Sequence, residues 1–310
     1  MYTISVVAPI LNEQSNILIL YERIKKTILD SGHIYEILFI DDGSNDGSLD
    51  LLKEVAAKDN NVRVISFSRN FGHQAAVTAG IEHAQGDAVV LIDADLQDPP
   101  ELIATMIEKW LEGYHVVYAK RVRRRKETIL KRFTAFLFYR FRNYLAKVRI
   151  PLDTGDFRLM DRAVVNVLCS MRERNRFIRG LVGWIGFKQI GVEFERQERL
   201  RGETKYPIRK MTEFALDGIL SFSNIPLRIA TFMGFILFSL SFLIILWETY
   251  SMLLGAESIF NRSMFILAIV LILAAMQLFC IGIIGEYIAR IYDESKARPT
   301  YVIRQKINII

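Results

Sequence analysis

The sequence predicts an α/β protein: a largely parallel sheet in its first two-thirds, followed by a part that enters a membrane. Three observations carry this. Short β-rich runs alternate with helical stretches up to about residue 120, as right-handed crossovers onto one sheet require. Each of the first four strands ends in a polar cluster, and in such sheets ligands bind at the strands' carboxyl ends. Ile229–Trp247 and Ser263–Gly285 hold no charged residue, and each is long enough to cross about 30 Å of hydrocarbon.

In order, Ile4–Ala8 is a strand stopped by Pro9, and Leu11-Asn12-Glu13 leads into a helix to about Leu29. Glu36–Ile40 is a second strand; it ends in Asp41-Asp42-Gly43-Ser44-Asn45-Asp46-Gly47 before a helix through Lys58. Val62–Ser66 is a third, followed by Arg69-Asn70-Phe71-Gly72 and a small-residue helix, Ala75–Ala84. The fourth opens Ala88–Glu101, after which come a helix to about Glu112 and a strand at His115–Ala119. Each cluster alone is ordinary turn chemistry. Their joint acidity at four successive strand ends points to one ligand site on one rim.

Ala88–Glu101 is the centre of that rim. An apolar run too short for a helix ends in Asp93-Ala94-Asp95-Leu96-Gln97-Asp98 and two prolines. In a continuing strand Asp93, Asp95 and Gln97 point the same way. Two carboxylates and an amide oxygen are hard ligands, suited to Mg2+ or Mn2+ with substrate phosphate completing the shell. The plainer alternative is a strand-to-helix turn with Asp98 as the helix N-cap.

Composition narrows the classes. The 310 residues are 51% hydrophobic with a net charge of +6, and a mean hydropathy of +0.22 with pI near 9.2 suits an anionic partner and a locally concentrated apolar excess. Two distant cysteines, Cys169 and Cys280, argue against a disulfide framework or a zinc site. No Gly-x-Gly-x-x-Gly or Gly-Lys-Ser/Thr loop follows the first strand, which counts against a dinucleotide oxidoreductase or an ATPase. Acids rather than glycines therefore meet any phosphate, and a cation must lie between them. The N-terminus reads directly as a strand rather than as a signal peptide, so the first two-thirds is expected in the cytoplasm.

Beyond Lys120, Lys120–Lys126, Lys131-Arg132-Phe133 and Phe136–Ala146 interleave cations with aromatics. Nucleic acid and a membrane surface both suit that pattern, and the apolar runs downstream favour the membrane over nucleic acid. Pro151–Arg162 reads as a loop carrying Asp153 and Asp156 into a helix capped near Asp161, with Asp156 either a catalytic carboxylate or a partner for Arg158. Arg199–Tyr206 is a basic loop, a phosphate clamp or a surface turn. Ile208–Phe222 is amphipathic. Cations flank the two spans on one side, while Tyr250–Arg262 between them is nearly neutral; both termini are thus expected in the cytoplasm.

Taken together, Pro9-Ile10-Leu11-Asn12-Glu13, Asp41–Asp46, Arg69–Gly72, Asp93–Pro100, Gly155-Asp156-Phe157-Arg158, Arg201–Tyr206 and the two spans resemble the family 2 glycosyltransferases of GT-A fold. The resemblance is to their polyisoprenyl-phosphate branch, bactoprenol glucosyltransferases related to dolichol-phosphate mannose synthases. It covers essentially the whole chain. It implies a Rossmann-like nucleotide-sugar domain at residues 1–206, an amphipathic juxtamembrane segment at 207–226, two transmembrane helices within 227–288 and a cytoplasmic tail at 289–310.

The resemblance also implies roles. Pro9, Asn12, Glu13, Asp41, Asp42 and Asp93 would hold the nucleotide of a UDP-sugar. Asp93, Asp95 and Gln97 would hold Mg2+ or Mn2+ on its diphosphate. Asp156, with Asp95, would be catalytic, and Arg121, Arg132, Arg201 and Lys205 would receive the phosphate of a polyisoprenyl (undecaprenyl) lipid. The Gln-x-x-Arg-Trp pattern of processive synthases is absent, so single hexose transfer, most simply of glucose, is implied. Other donor sugars, a sugar-hydroxyl acceptor and a non-catalytic membrane scaffold are the competing readings; a homo-oligomer formed through the spans stays open.

Overall fold

The computed structural model describes residues 1–121, 154–174, 176–194, 225–253 and 262–309. Its centre is an eight-stranded sheet: β1 (Thr3–Ile10), β2 (Ile34–Asp41), β3 (Val62–Phe67), β4 (Ala88–Leu91), β5 (Val116–Arg121), β6 (Thr154–Asp161), β7 (Gln189–Phe194) and β8 (Ile303–Ile307). Their spatial order is β7-β5-β6-β4-β1-β2-β3-β8. The strands β1 to β4 pair in parallel; the first half of the chain thus has the expected α/β architecture.

Helices cover both faces, because each strand alternates apolar side chains to either side. On one face lie α1 (Gln14–Asp30), α2 (Ser48–Lys58) and α4 (Leu102–Leu111); Ile17, Leu20, Leu52 and Met106 pack with Val6 and Phe39 there. On the other lie α3 (His73–His83), α5 (Arg162–Ser170) and α6 (Ile178–Ile185), where Val77, Val164 and Leu181 pack with Val7 and Ile40. Asp161 caps α5, its carboxylate accepting from the Ala163 N–H. Pro9 does not stop β1, which runs on to Ile10 beside β2. Pairing with β4 has already ended at Val7–Leu91, so the missing proline N–H leaves no ladder bond unmade.

Two strands run against the others, and both correct the sequence reading. Thr154–Asp161, expected as a loop, is β6, antiparallel to β4 and β5. Phe157 and Leu159 enter one core and Met160 the other, an alternation that suits a strand between two neighbours. The reversal brings the start of β6, not its end, to the rim where β4 finishes. The stretch read as a C-terminal tail returns to the sheet as β8, antiparallel to β3. Tyr301 stacks on Phe67 with ring centroids 5.0 Å apart, and Asn308 Nδ2 donates to the Ala56 and Val62 carbonyls, each at 2.8 Å.

The helices α7 (Ile225–Leu253) and α8 (Arg262–Ser295) form a hairpin, with Cys280 Sγ 3.8 Å from the Ala230 carbonyl. Among the described residues one stretch, Ile272–Ser295 in α8, is long and apolar enough to cross a membrane; the apolar stretch of α7, Ala230–Ile244, is shorter. Large side chains such as Phe232 and Leu278 face outward. The basic segment from 122 to 153, including Arg132, and the segment from 195 to 224, including Arg201, Lys205 and the amphipathic stretch Ile208–Phe222, lie outside the described residues.

Candidate active site

The loops after β1, β2 and β3 are sewn together by the residues expected to bind a nucleotide. Asp41 ends β2 and is buried; its carboxylate accepts from the Ser44 N–H (3.0 Å) and the Ser66 hydroxyl (2.8 Å). Asp42, also buried, accepts from the N–H groups of Phe71 (2.7 Å) and Gly72 (3.0 Å). Burial pushes the Asp42 carboxyl above the usual range, and those N–H bonds offset only part of the rise. Asn12 sits at φ 54, giving its N–H to Ser44 Oγ and taking the Asn45 N–H on its Oδ1 at 2.8 Å. Glu13 accepts from Asn16 Nδ2 at 2.7 Å. Much of the hydrogen-bonding capacity of these acids thus shapes the cradle itself.

Gly43 is where the cradle is tightest. Its φ is +74, and a Cβ there would stand 2.7 Å from the Arg69 carbonyl carbon and 2.8 Å from the Asn70 nitrogen. Gly43→Ala is expected to cost about 1–3 kcal/mol and to push the Arg69–Gly72 loop outward. Thermal unfolding and nucleotide affinity read both effects; an unchanged midpoint with unchanged affinity would remove Gly43 from this role.

Asp93, Asp95 and Gln97 stand at the same rim but not as one extended row. The strand β4 ends at Leu91, and Ala94 and Asp95 form a turn in which Leu96 takes φ 57. Asp95 Oδ1 accepts from the Gln97 N–H at 3.1 Å, so the pair closes a turn of the Asp side-chain type. Nor is Asp98 the cap of α4: the residue before that helix is Glu101, held by Arg23 at 2.8 and 2.6 Å. Asp98 is buried, with Arg121 Nη2 3.9 Å from its Oδ1. Arg121 ends β5, and Gly155 leaves room for its guanidinium, which lies 2.9 Å from where a Cβ would stand.

Asp156 is the most elaborately held acid of the rim. Arg179 Nε and Nη2 donate to its two carboxylate oxygens at 2.7 and 2.9 Å. His73 Nε2 lies 3.2 Å from Asp156 Oδ2 and 3.7 Å from Asp93 Oδ1. These neighbours outweigh burial and hold the Asp156 carboxyl well below the usual carboxylate range. Burial lowers the His73 pKa, but the hydrogen bond to Asp156 and the charges of Asp93 and Asp156 raise it more, to about 9. Asp93 moves opposite to Asp156: burial raises its carboxyl above the usual range. Arg158, the expected partner, donates instead to the carbonyls of Asp156 (3.2 Å) and Gly155 (3.0 Å); burial lowers its pKa to about 10.

Neither His73 nor Arg179 stands out in the sequence. His73 carried one usable signal, its place directly after the Arg69–Gly72 rim cluster; Arg179 lies in the first turn of α6, outside every motif, and carried none.

Among the described residues no three His, Cys, Asp or Glu side chains gather as a metal cage. Asp93 and Asp95 at one strand end suit a different arrangement, one or two carboxylates holding a hard cation whose other ligands are phosphate and water.

Residues 5–168 match the model of Glycosyl transferase family 2, and residues 225–291 match that of the GtrB C-terminal hairpin. The chain belongs to glycosyl transferase family 2. This glycosyltransferase is 48% identical over 305 residues to a Bacillus subtilis (strain 168) protein described as the uncharacterized glycosyltransferase YkcC, covering 98% of this chain and 94% of that one. It is 41% identical to the bactoprenol glucosyl transferase of Shigella phage SfV, covering 98% of each. It is likewise 41% identical to the prophage bactoprenol glucosyl transferase homolog of Escherichia coli (strain K12), covering 97% of this chain and 98% of the relative. Mannosyl-3-phosphoglycerate synthase from Rubrobacter xylanophilus, a crystal structure, is similar at 22% identity and a TM-score of 0.48, over 70% of this chain and 71% of its own. The family match and the sheet agree with the expected GT-A, Rossmann-like domain.

Proposed function

We propose that this glycosyltransferase moves a single glucose, with inversion, from UDP-glucose to a polyisoprenyl phosphate such as undecaprenyl phosphate at the cytoplasmic face of a membrane. Glucose and the bactoprenol-type lipid come from the names of relatives that match nearly the whole chain. The observation that carries the acceptor chemistry is the state of Asp156: a carboxylate forked by Arg179 and touched by His73 is a weak base. A sugar-hydroxyl acceptor calls for a base. A phosphate monoester, with its second pKa near about 6, is already largely a dianion and needs none.

In the reaction an oxygen of the lipid phosphate attacks the anomeric carbon, the bond from that carbon to the diphosphate breaks, and UDP leaves with the electron pair. Attack opposite the leaving group turns an α-linked donor into a β-linked product. Asp41, Asp42, Asn12, Glu13 and Pro9 build the nucleotide cradle. Asp93, Asp95 and Gln97 would hold Mg2+ or Mn2+ through their oxygens, and the ion would neutralise charge on the departing diphosphate. Asp156 accepts hydrogen bonds from sugar hydroxyls and keeps the anomeric carbon turned toward the acceptor. Arg121 meets the lipid phosphate, with Arg132, Arg201 and Lys205 assigned the same task from the sequence.

The catalytic unit is residues 1–206 together with the returning strand β8, on the cytoplasmic side with both termini. The sequence assigns residues 207–226 to an amphipathic juxtamembrane role, and α7, with its uncharged run Ile229–Trp247, and α8 are assigned as the two spans.

The test uses the full chain in lipid nanodiscs with undecaprenyl phosphate, Mg2+ or Mn2+, and a panel of UDP- and GDP-sugars, with lipid products read by mass spectrometry. UDP-glucose is expected to add one hexose. Product from another donor alone reassigns the sugar, and no nucleotide release from any donor ends the reading.

A further inference from the structure

We infer that Arg179 is a positioning residue for the transfer, its guanidinium fixing the direction in which the Asp156 carboxylate faces the rim. This rests on the function proposed above and deepens it. Both Asp156 oxygens are engaged: Oδ1 by Arg179 Nε at 2.7 Å, and Oδ2 by Arg179 Nη2 at 2.9 Å and His73 Nε2 at 3.2 Å. Two parallel N–H bonds to one carboxylate stop its rotation, whereas a single bond leaves a swivel.

The arginine is itself delivered rigidly. It lies in the first turn of α6, whose Ile178, Leu181 and Val182 are buried in the core, so its direction is set by a packed helix and not by a loop. On the Asp156 side, the backbone is clamped by Arg158 through the Gly155 and Asp156 carbonyls. That use of its guanidinium keeps Arg158 from standing in for Arg179. Backbone and carboxylate are thus fixed by different arginines, and a sugar hydroxyl meets Asp156 lone pairs in one direction only. Precise placement of this kind is where misalignment costs rate.

The experiment compares Arg179→Gln, Arg179→Lys, Asp156→Asn and the double variant Asp156→Asn with Arg179→Gln, all in the full chain with UDP-glucose and undecaprenyl phosphate. Arg179→Gln is expected to lower kcat at least tenfold while UDP affinity, read by calorimetry, stays within twofold. Arg179→Lys keeps the charge but not the fork and is expected to lower kcat at least fivefold. Because Arg179 acts through Asp156, the double variant is expected to be within twofold of Asp156→Asn alone.

Multiplicative losses in the double variant, or wild-type kcat in Arg179→Lys, overturn the proposal. So does a loss confined to nucleotide affinity. If Arg179→Gln does not fold, the lysine variant decides. An inactive wild-type chain instead fails the underlying function, so the two failures are told apart.

Discussion

Asp95→Ala is expected to lower kcat by on the order of 10²- to 10³-fold, while the protein stays folded. The carboxylate lies in the turn after β4, its Oδ1 accepting from the Gln97 N–H. The loss of that turn bond costs about 1 kcal/mol, and it falls on a rim loop and not on the core of the domain. The substitution's larger effect is on charge. Departure of UDP builds negative charge on a diphosphate facing an acidic rim, and without a cation held there the leaving group meets Asp93 directly. UDP release measured against Mg2+ or Mn2+ concentration checks this, with chelation of the wild type as the parallel arm. Turnover that survives both would remove Asp95 from the ligand set and the metal from the reaction.

Asp156→Ala is expected to be costly to stability as well as to rate. It leaves Arg179 and His73 without the carboxylate between them; breaking such a pair costs about 3 kcal/mol, the low end of the range because the two cations keep 27% and 30% side-chain exposure. The loss also has a pH signature. His73 is raised from 6.5 to about 9, so the stability it contributes is fully present below its unfolded pKa and is lost as pH rises through about 9. Wild-type protein in metal-free buffer is expected to lose stability between about pH 7 and pH 10, and Asp156→Asn to show a flatter profile there. Denaturant titrations at several pH values measure it. A variant as pH-dependent as the wild type would show that Asp156 does not hold the His73 proton.

How far the site was readable follows from distance along the chain. Asp41, Asp42, Asp93 and Asp95 announce themselves because each directly follows an apolar strand, and a parallel sheet brings every such ending to one rim. What these acids do there was less readable: Asp42 spends its carboxylate on the Phe71 and Gly72 N–H groups, a partnership made across two loops. His73 and Arg179 lie 83 and 23 residues from Asp156, and nothing local marks either as its partner. The roles of Arg132, Arg201 and Lys205 rest on the sequence alone.

By itself the sequence determined the alternation of strands and helices, the acidic rim, the apolar hairpin region and, through motifs in a set order, the glycosyltransferase family. All of these are written in local patterns: hydrophobic period, turn residues and the length of uncharged runs. Only the tertiary structure decided that Thr154–Asp161 runs antiparallel between β4 and β5, that the C-terminal stretch closes the sheet beside β3, and that Arg179 and His73 grip Asp156. Strand direction and side-chain partnership are properties of what the chain packs against. An alternating apolar segment satisfies its hydrogen bonds equally well in either direction until its neighbours are in place.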